Sequence, residues 1–249
     1  MQESFFAATK FEFRFRVFFI SFVFVAAYWC YAFDHVSSGA RLATWLVRLD
    51  PALSFDTWLR VILGLAAVAI FKGAFLRVWG TAYLKASVMN DMKLHTERLV
   101  ADGPFRHVRN PLYLGNILMC FGLGFTCNRV GFFVLFLGMT IVVVRLLLRE
   151  EAELRAAQGE SYLAYCAAVP RLWYSLRARV PAAGNKPNWF EGFFAEVIIW
   201  GAGVSVVVLA ITLRTRVFEK VLWTAVGLQT IVGLWIRWKT RAAATAVQK

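Results

Sequence analysis

The sequence predicts an all-α integral membrane protein with about six transmembrane helices. Of its 249 residues, 59% are hydrophobic and 17% are charged, whereas soluble domains have roughly 45–50% apolar and about 25% charged residues. Phe and Trp are abundant, with 23 and 10 copies. A fold of this size cannot hide so much apolar surface from water. The composition therefore excludes an ordinary soluble enzyme, a disordered chain and a coiled coil.

Six apolar runs supply the predicted spans, because a membrane-crossing helix needs about 20 mostly apolar residues. The runs cover residues 17–33, 59–79, 111–128, 130–148, 193–213 and 221–238. Only a tight turn at residues 127–129 joins the third run to the fourth, so we expect these two helices to form an antiparallel hairpin. Residues 34–58 are intermediate in polarity and suit an interfacial helix, but the sequence leaves open whether they enter the membrane.

The distribution of basic residues predicts the orientation of the spans. The net charge is +13, and many Lys and Arg residues lie in the segments 80–110 and 149–188, on the same side of the hairpin. Basic loops face the cytoplasm, so we expect a multi-pass protein of a bacterial inner membrane with its site on the cytoplasmic side. The basic loop at residues 214–220 disagrees with this topology. The charges alternate with apolar runs instead of forming a soluble basic face, so we expect no nucleic-acid partner. No two of the four cysteines have the CxxC spacing, and we predict no metal site.

Two cytoplasmic segments carry the candidate chemistry. In the first, Asn110-Pro111 predicts a helix start whose free backbone N–H groups favour an anion, with Tyr113 in the first turn. In the second, the fourth span ends in the acidic doublet Glu150-Glu151. The tight hairpin returns this doublet to the membrane face that holds Asn110. A carboxylate pair facing a helix N-terminus and an aromatic ring suits a zwitterionic cofactor with a cationic sulfonium or amine.

The ordered elements resemble the isoprenylcysteine carboxyl methyltransferase and phospholipid methyltransferase superfamily. They are the run Gly-Pro-Phe-Arg-His-Val-Arg-Asn-Pro-Leu-Tyr-Leu-Gly, a membrane hairpin, Glu-Glu-x-x-Leu and Gly-x-x-Tyr-x-x-Tyr, within about residues 85–173. The resemblance implies a multi-span helical fold whose C-terminal half binds S-adenosylmethionine at the cytosolic face. By position, it implies cofactor contacts from Glu97, Arg98, Leu99, Val100, Phe105, Asn110, Pro111, Leu112, Tyr113, Glu150 and Glu151.

The resemblance also implies methyl transfer to a lipid-like or prenylated membrane substrate. The Asn-Pro-x-Tyr-x-Gly element looks closer to the phosphatidylethanolamine branch, whereas the Gly-x-x-Tyr-x-x-Tyr and Val-Pro elements look closer to the isoprenylcysteine branch. We favour O-methylation of an isoprenylcysteine-type carboxylate and keep N-methylation of a phospholipid amine open. In the isoprenylcysteine enzymes an arginine near the end of the corresponding span holds the substrate carboxylate, and Arg145 and Arg149 are the candidates here. For an amine or hydroxyl acceptor, the candidate bases are Glu150, Glu151 and His107.

Two other classes of function compete with this interpretation. An NADPH-dependent sterol-type reductase has a similar Arg-x-Pro-x-Tyr element, but the acidic doublet favours a sulfonium. A non-enzymatic scaffold or transporter would need polar or broken spans. We divide the chain into N-terminal transmembrane helices at 1–80, a methyltransferase core at 81–180 and a C-terminal helix pair at 181–249. The sequence offers no role for this last pair and leaves the methyl acceptor and the oligomeric state open.

Overall fold

The fold, seen in a computed structural model, consists of helices joined by turns and loops over the described residues 6–84 and 101–247, which form no β-strand. Side chains are described as far as residue 235. The predicted all-helical class is confirmed. The α-helices, numbered in chain order, are α1 (Lys10–Arg14), α2 (Arg16–Trp29), α3 (Ser38–Leu49), α4 (Phe55–Tyr83), α5 (Pro111–Gly124), α6 (Arg129–Gln158), α7 (Glu160–Ala168), α8 (Trp189–Ala195), α9 (Val197–Thr212) and α10 (Thr215–Val247).

Three helices of the described chain, α4, α6 and α10, are long and apolar enough to cross a membrane. The pair α8 and α9, bent by 62°, makes a fourth when it is counted as one broken span. The six predicted spans are therefore not confirmed. Helices α2 and α5 are apolar but short, and the 14 residues of α5 extend only about 21 Å. The hydrocarbon core is about 30 Å thick.

Helix α4 is the centre of the bundle and packs against α3, α5, α8 and α9, while α6 packs against α2 and α5. The expected hairpin of α5 and α6 is present. Its turn is fixed by the buried Asn128, whose side chain accepts the Gly131 N–H at 2.7 Å and donates to the Asp34 carbonyl at 2.8 Å. Helix α3 lies within the segment 34–58, with Ser37 as its N-cap residue and Asp50 as its C-cap residue.

Gly115 allows α5 to lie directly against α4. A Cβ atom on Gly115 would stand 2.7 Å from the Gly73 carbonyl oxygen and 2.5 Å from Cγ of Arg77. The α4 backbone therefore approaches α5 closely at this glycine. The first turns of α5, which carry Tyr113, are therefore held tightly against the central helix.

Gly115→Ala is expected to destabilise the protein by about 1–3 kcal/mol, because the added methyl group overpacks this contact. The matched control is Gly64→Ala, since nothing lies within 4 Å of a Cβ at Gly64 of α4. In a helix, that control should be neutral or stabilising by up to about 1 kcal/mol. Thermal unfolding in detergent, followed by Trp fluorescence, measures both, and equal midpoints for the two variants would contradict the prediction.

Candidate functional site

The α5–α6 hairpin brings a phenol and a carboxylate into contact. The Tyr113 hydroxyl, one turn into α5, donates to Oε1 of Glu150 at 2.7 Å. Both side chains line a cavity of about 1750 Å³. The hairpin returns the acidic end of α6 to the start of α5, and the structure thus brings together the two features that the sequence analysis placed on one membrane face.

The cavity wall is mainly apolar, but it contains charged groups. Its lining includes Arg16, Glu150 and Glu196, and also Glu219 of α10. Side chains of α2, α5, α9 and α10 form much of its wall. A large, mainly apolar chamber that contains charged groups suits an amphipathic ligand.

Most of the predicted cofactor contacts lie around this one cavity. Its lining includes six of them: Phe105, Asn110, Pro111, Leu112, Tyr113 and Glu150. Glu151 is not part of the lining. The other four, Glu97, Arg98, Leu99 and Val100, lie outside the described residues.

The two acidic residues of the doublet have different surroundings. Glu151 is only 2% exposed and forms ion pairs with Arg109 at 3.2 Å and Arg171 at 2.9 Å. Successive side chains on a helix point about 100° apart, so Glu150 faces the cavity while Glu151 faces the chain that enters α5 and the chain that follows α7. Glu151 therefore joins the start of α5 to the chain after α7, and Glu150 is the carboxylate of the doublet that lines the cavity.

Asn110 occupies the N-cap position of α5, but its side chain does not cap the helix. Instead, its amide donates to Oε1 of Glu151 at 3.1 Å and to the Arg171 carbonyl at 3.2 Å. These two hydrogen bonds, one of them to the buried Glu151 carboxylate, orient the Asn110 side chain toward Glu151 and Arg171.

Arg145 and Arg149, the predicted carboxylate-binding residues, lie outside the cavity lining. Arg145 pairs with Glu12 of α1 at 2.8 Å, and this hydrogen bond is the main reason why the pKa of Glu12 is lowered. Arg149 pairs with Glu153 at 2.6 Å and donates to the Ala8 carbonyl at 3.1 Å. Both arginines fasten the N-terminal segment and α6 together on the outside of the site.

His107, named as a possible base, is held by its surroundings. Its Nδ1 lies 2.8 Å from the Ser175 carbonyl oxygen. Its ring stacks on Tyr174 with centroids 5.3 Å apart and lies 5.8 Å from the Trp79 ring. These contacts indicate a role in packing the loop after α7 against the segment before α5.

Comparison with known protein families gives one match. Residues 59–160 match the family model described as phospholipid methyltransferase. This segment, which is less than half of the chain, is similar to that family. The superfamily resemblance found in the sequence is thereby confirmed. The family implies a membrane methyltransferase, and nothing found supports the reductase alternative. Comparison with curated proteins and with solved structures found no match.

The matched segment ends at residue 160, and the tyrosines of the Gly-x-x-Tyr-x-x-Tyr element lie just beyond it. Gly159, with φ of +56°, separates α6 from α7. Tyr162 and Tyr165 are buried and line the cavity. The Tyr165 hydroxyl donates to the Phe105 carbonyl at 2.7 Å. Burial raises the pKa of both phenols, so they remain protonated hydrogen-bond donors at neutral pH.

Asp102 ties the chain after α7 to the segment that leads into α5. Its carboxylate accepts backbone N–H groups of Ala183 at 2.8 Å and Asn185 at 2.9 Å. Burial raises the pKa of Asp102, but these hydrogen bonds outweigh burial and the net pKa is lowered. A lowered pKa in the folded state means that this contact stabilises the fold at neutral pH and is lost only as the pH falls through that value.

Sequence reasoning missed the polar cluster of Arg77 and Glu196, which line the same cavity. A usable signal was present, because Glu196 is the one acidic residue in the apolar run 193–213. An ionisable residue inside a transmembrane helix costs free energy, and such a residue usually has a function.

Proposed function

We propose that the protein transfers a methyl group from S-adenosylmethionine to the headgroup of a membrane lipid. One observation carries this proposal: the Tyr113–Glu150 pair, with its 2.7 Å hydrogen bond, lines a large and mainly apolar cavity. Methyl transfer to a lipid needs polar groups around the reacting atoms and apolar surface for the acyl chains. The family match over residues 59–160 supports the same reaction class.

The cavity-lining residues around Tyr113 and Glu150 fit this cofactor. When bound, S-adenosylmethionine supplies an electrophilic methyl group on a positively charged sulfur. Glu150 is a carboxylate that attracts such a cation, and Tyr113 fixes the orientation of that carboxylate. Phe105 and Leu112 add apolar lining, which excludes water and strengthens the attraction between the charges. We assign cofactor binding to these residues and to Asn110 and Pro111 beside them.

The acceptor that these residues favour is a phospholipid amine. The two arginines that the sequence suggested for a carboxylate acceptor, Arg145 and Arg149, bind other groups and lie outside the cavity lining. A carboxylate would have to bind another cation of the lining, such as Arg16. An amine acceptor instead needs a carboxylate that holds it and takes its proton. Glu150 would hold such an amine and take its proton, while bound S-adenosylmethionine would supply the methyl group and leave as the neutral thioether. This choice reverses the preference for an isoprenylcysteine carboxylate that the sequence suggested.

The site faces the cytoplasm in this proposal. The basic segments that flank the α5–α6 hairpin predict this orientation, and the cofactor would then enter from the cytoplasm while the lipid enters from the bilayer. We place the protein in a bacterial inner membrane, with α2 and α5 completing the spans beside the long helices.

The test uses the purified full chain in nanodiscs that contain phosphatidylethanolamine, with methyl-labelled S-adenosylmethionine. We expect saturable cofactor binding and label in lipid N-methyl groups that survive mild base. Label in a base-labile ester, after adding an isoprenylcysteine substrate, would overturn the amine assignment and restore the carboxylate. Absence of saturable cofactor binding would overturn the methyltransferase proposal itself. Nicotinamide dinucleotide phosphate is the control ligand, and we expect no binding.

A further inference from the structure

Arg77 of α4 and Glu196 form a nearly enclosed ion pair. Nε and Nη2 of Arg77 donate to the two carboxylate oxygens of Glu196, each at 2.8 Å. The Thr81 hydroxyl donates to the same carboxylate at 3.1 Å. Glu196 is 1% exposed and Thr81 is fully buried. The bidentate geometry fixes the plane of the guanidinium group.

Glu196 lies at the break between α8 and α9, where the chain bends by 62°. A break inside a transmembrane helix leaves backbone N–H and C=O groups without partners in their own helix, and a neighbouring helix must form hydrogen bonds with them. Gln229 of α10 does so: its Oε1 accepts the Ile198 N–H at 3.1 Å and its Nε2 donates to the Ala195 carbonyl at 3.3 Å. The break is therefore a defined feature that presents the Glu196 carboxylate to α4.

The other side of Arg77 reaches the site helix. Its Nη1 donates to Oδ1 of Asn116 at 2.9 Å and to the Leu112 carbonyl at 3.3 Å. Leu112 and Asn116 flank Tyr113 in the first turns of α5, and Tyr113 binds Glu150. A continuous series of contacts thus runs from the broken C-terminal span, through Arg77, to the phenol at the cavity.

We propose that Glu196 is a positioning residue for the methyl-transfer site. It orients Arg77, and Arg77 sets the position of the first turns of α5 and hence of Tyr113 against Glu150. This inference rests on the proposed function, and it gives the C-terminal helices, which lie outside the matched residues 59–160, a part in the reaction. Small displacements of positioning groups lower reaction rates strongly.

The decisive comparison is between a single and a double variant. Glu196→Gln leaves a buried guanidinium without its counter-charge and lowers the unfolding temperature. The double variant Arg77→Met with Glu196→Leu removes both charges, and apolar replacement of a buried pair restores stability. We expect the double variant to recover the unfolding temperature but to keep a kcat/KM for the cofactor lowered by about tenfold or more. A merely structural pair would recover both.

Hydrogen exchange separates this proposal from the proposed function, because it needs no activity. We expect faster exchange at residues 112–116 in the double variant than in the unaltered chain. Asp34→Asn is the matched control, since it breaks another ion pair, to Arg41 at 2.8 Å, that lies outside the cavity lining, and it should leave exchange at 112–116 and kcat/KM unchanged. Unchanged exchange there in the double variant would overturn the positioning role, whether or not the unaltered protein transfers methyl groups. If the unaltered chain transferred no methyl groups, while the double variant still exchanged faster at residues 112–116, only the proposed reaction would be overturned.

Discussion

Glu150→Gln is expected to lower kcat/KM for methyl transfer by about 100-fold or more, the effect of losing a general base. Gln keeps an acceptor for the Tyr113 hydroxyl, which now donates to Oε1 of Glu150 at 2.7 Å, so the local hydrogen bond survives. The variant loses the negative charge that attracts a cation, and it cannot take a proton. Steady-state transfer of labelled methyl groups to lipid in nanodiscs measures the change.

Two control variants isolate the role of this carboxylate. Glu153→Gln neutralises an acidic residue one turn further along α6 that pairs with Arg149 at 2.6 Å and lies outside the cavity lining, so its activity should equal that of the unaltered chain. Tyr113→Phe removes one hydrogen bond but no charge and should have a smaller effect than Glu150→Gln. If Glu150→Gln retained activity within twofold of Glu153→Gln, Glu150 would not be the catalytic carboxylate.

Glu151→Ala is expected to cost about 3–5 kcal/mol of folding free energy, the usual penalty for breaking a buried ion pair. The change leaves Arg109, whose side chain is 10% exposed, with its positive charge uncompensated. It also removes the acceptor of the Asn110 amide at 3.1 Å. Thermal unfolding in detergent, calibrated by chemical denaturation, measures the loss.

Arg171→Ala is the matched control for this prediction. Its side chain is 42% exposed, and its removal leaves Glu151 paired with Arg109, so a loss of at most about 1 kcal/mol is expected. If the two variants unfolded at the same temperature, Glu151 would not be the centre of this network. A large loss of stability in Glu151→Ala, together with a small one in Glu150→Gln, would confirm that the Glu151 carboxylate stabilises the fold and that the Glu150 carboxylate does not.

The amino-acid sequence by itself determined the fold class and the meeting of the two motifs. Apolar composition requires a membrane-type helical bundle, because so much apolar surface cannot face water. The short turn before Arg129 forces α5 and α6 to run antiparallel, so the acidic end of α6 must return to the start of α5. For that reason the sequence could place Asn110, Tyr113 and Glu150 together, and it identified six residues that line the cavity.

Only the tertiary structure decided which charged groups face the cavity. The side chain of Glu151 is taken by Arg109 and Arg171, and that of Arg145 by Glu12, which is 133 residues away along the chain. The Arg77–Glu196 pair joins residues 119 positions apart. The sequence shows which groups carry charge, but a buried charge takes whichever partner long-range packing brings within reach. Neither helical periodicity nor motif spacing specifies that partner, so the division of labour between the carboxylates had to be found in the folded chain.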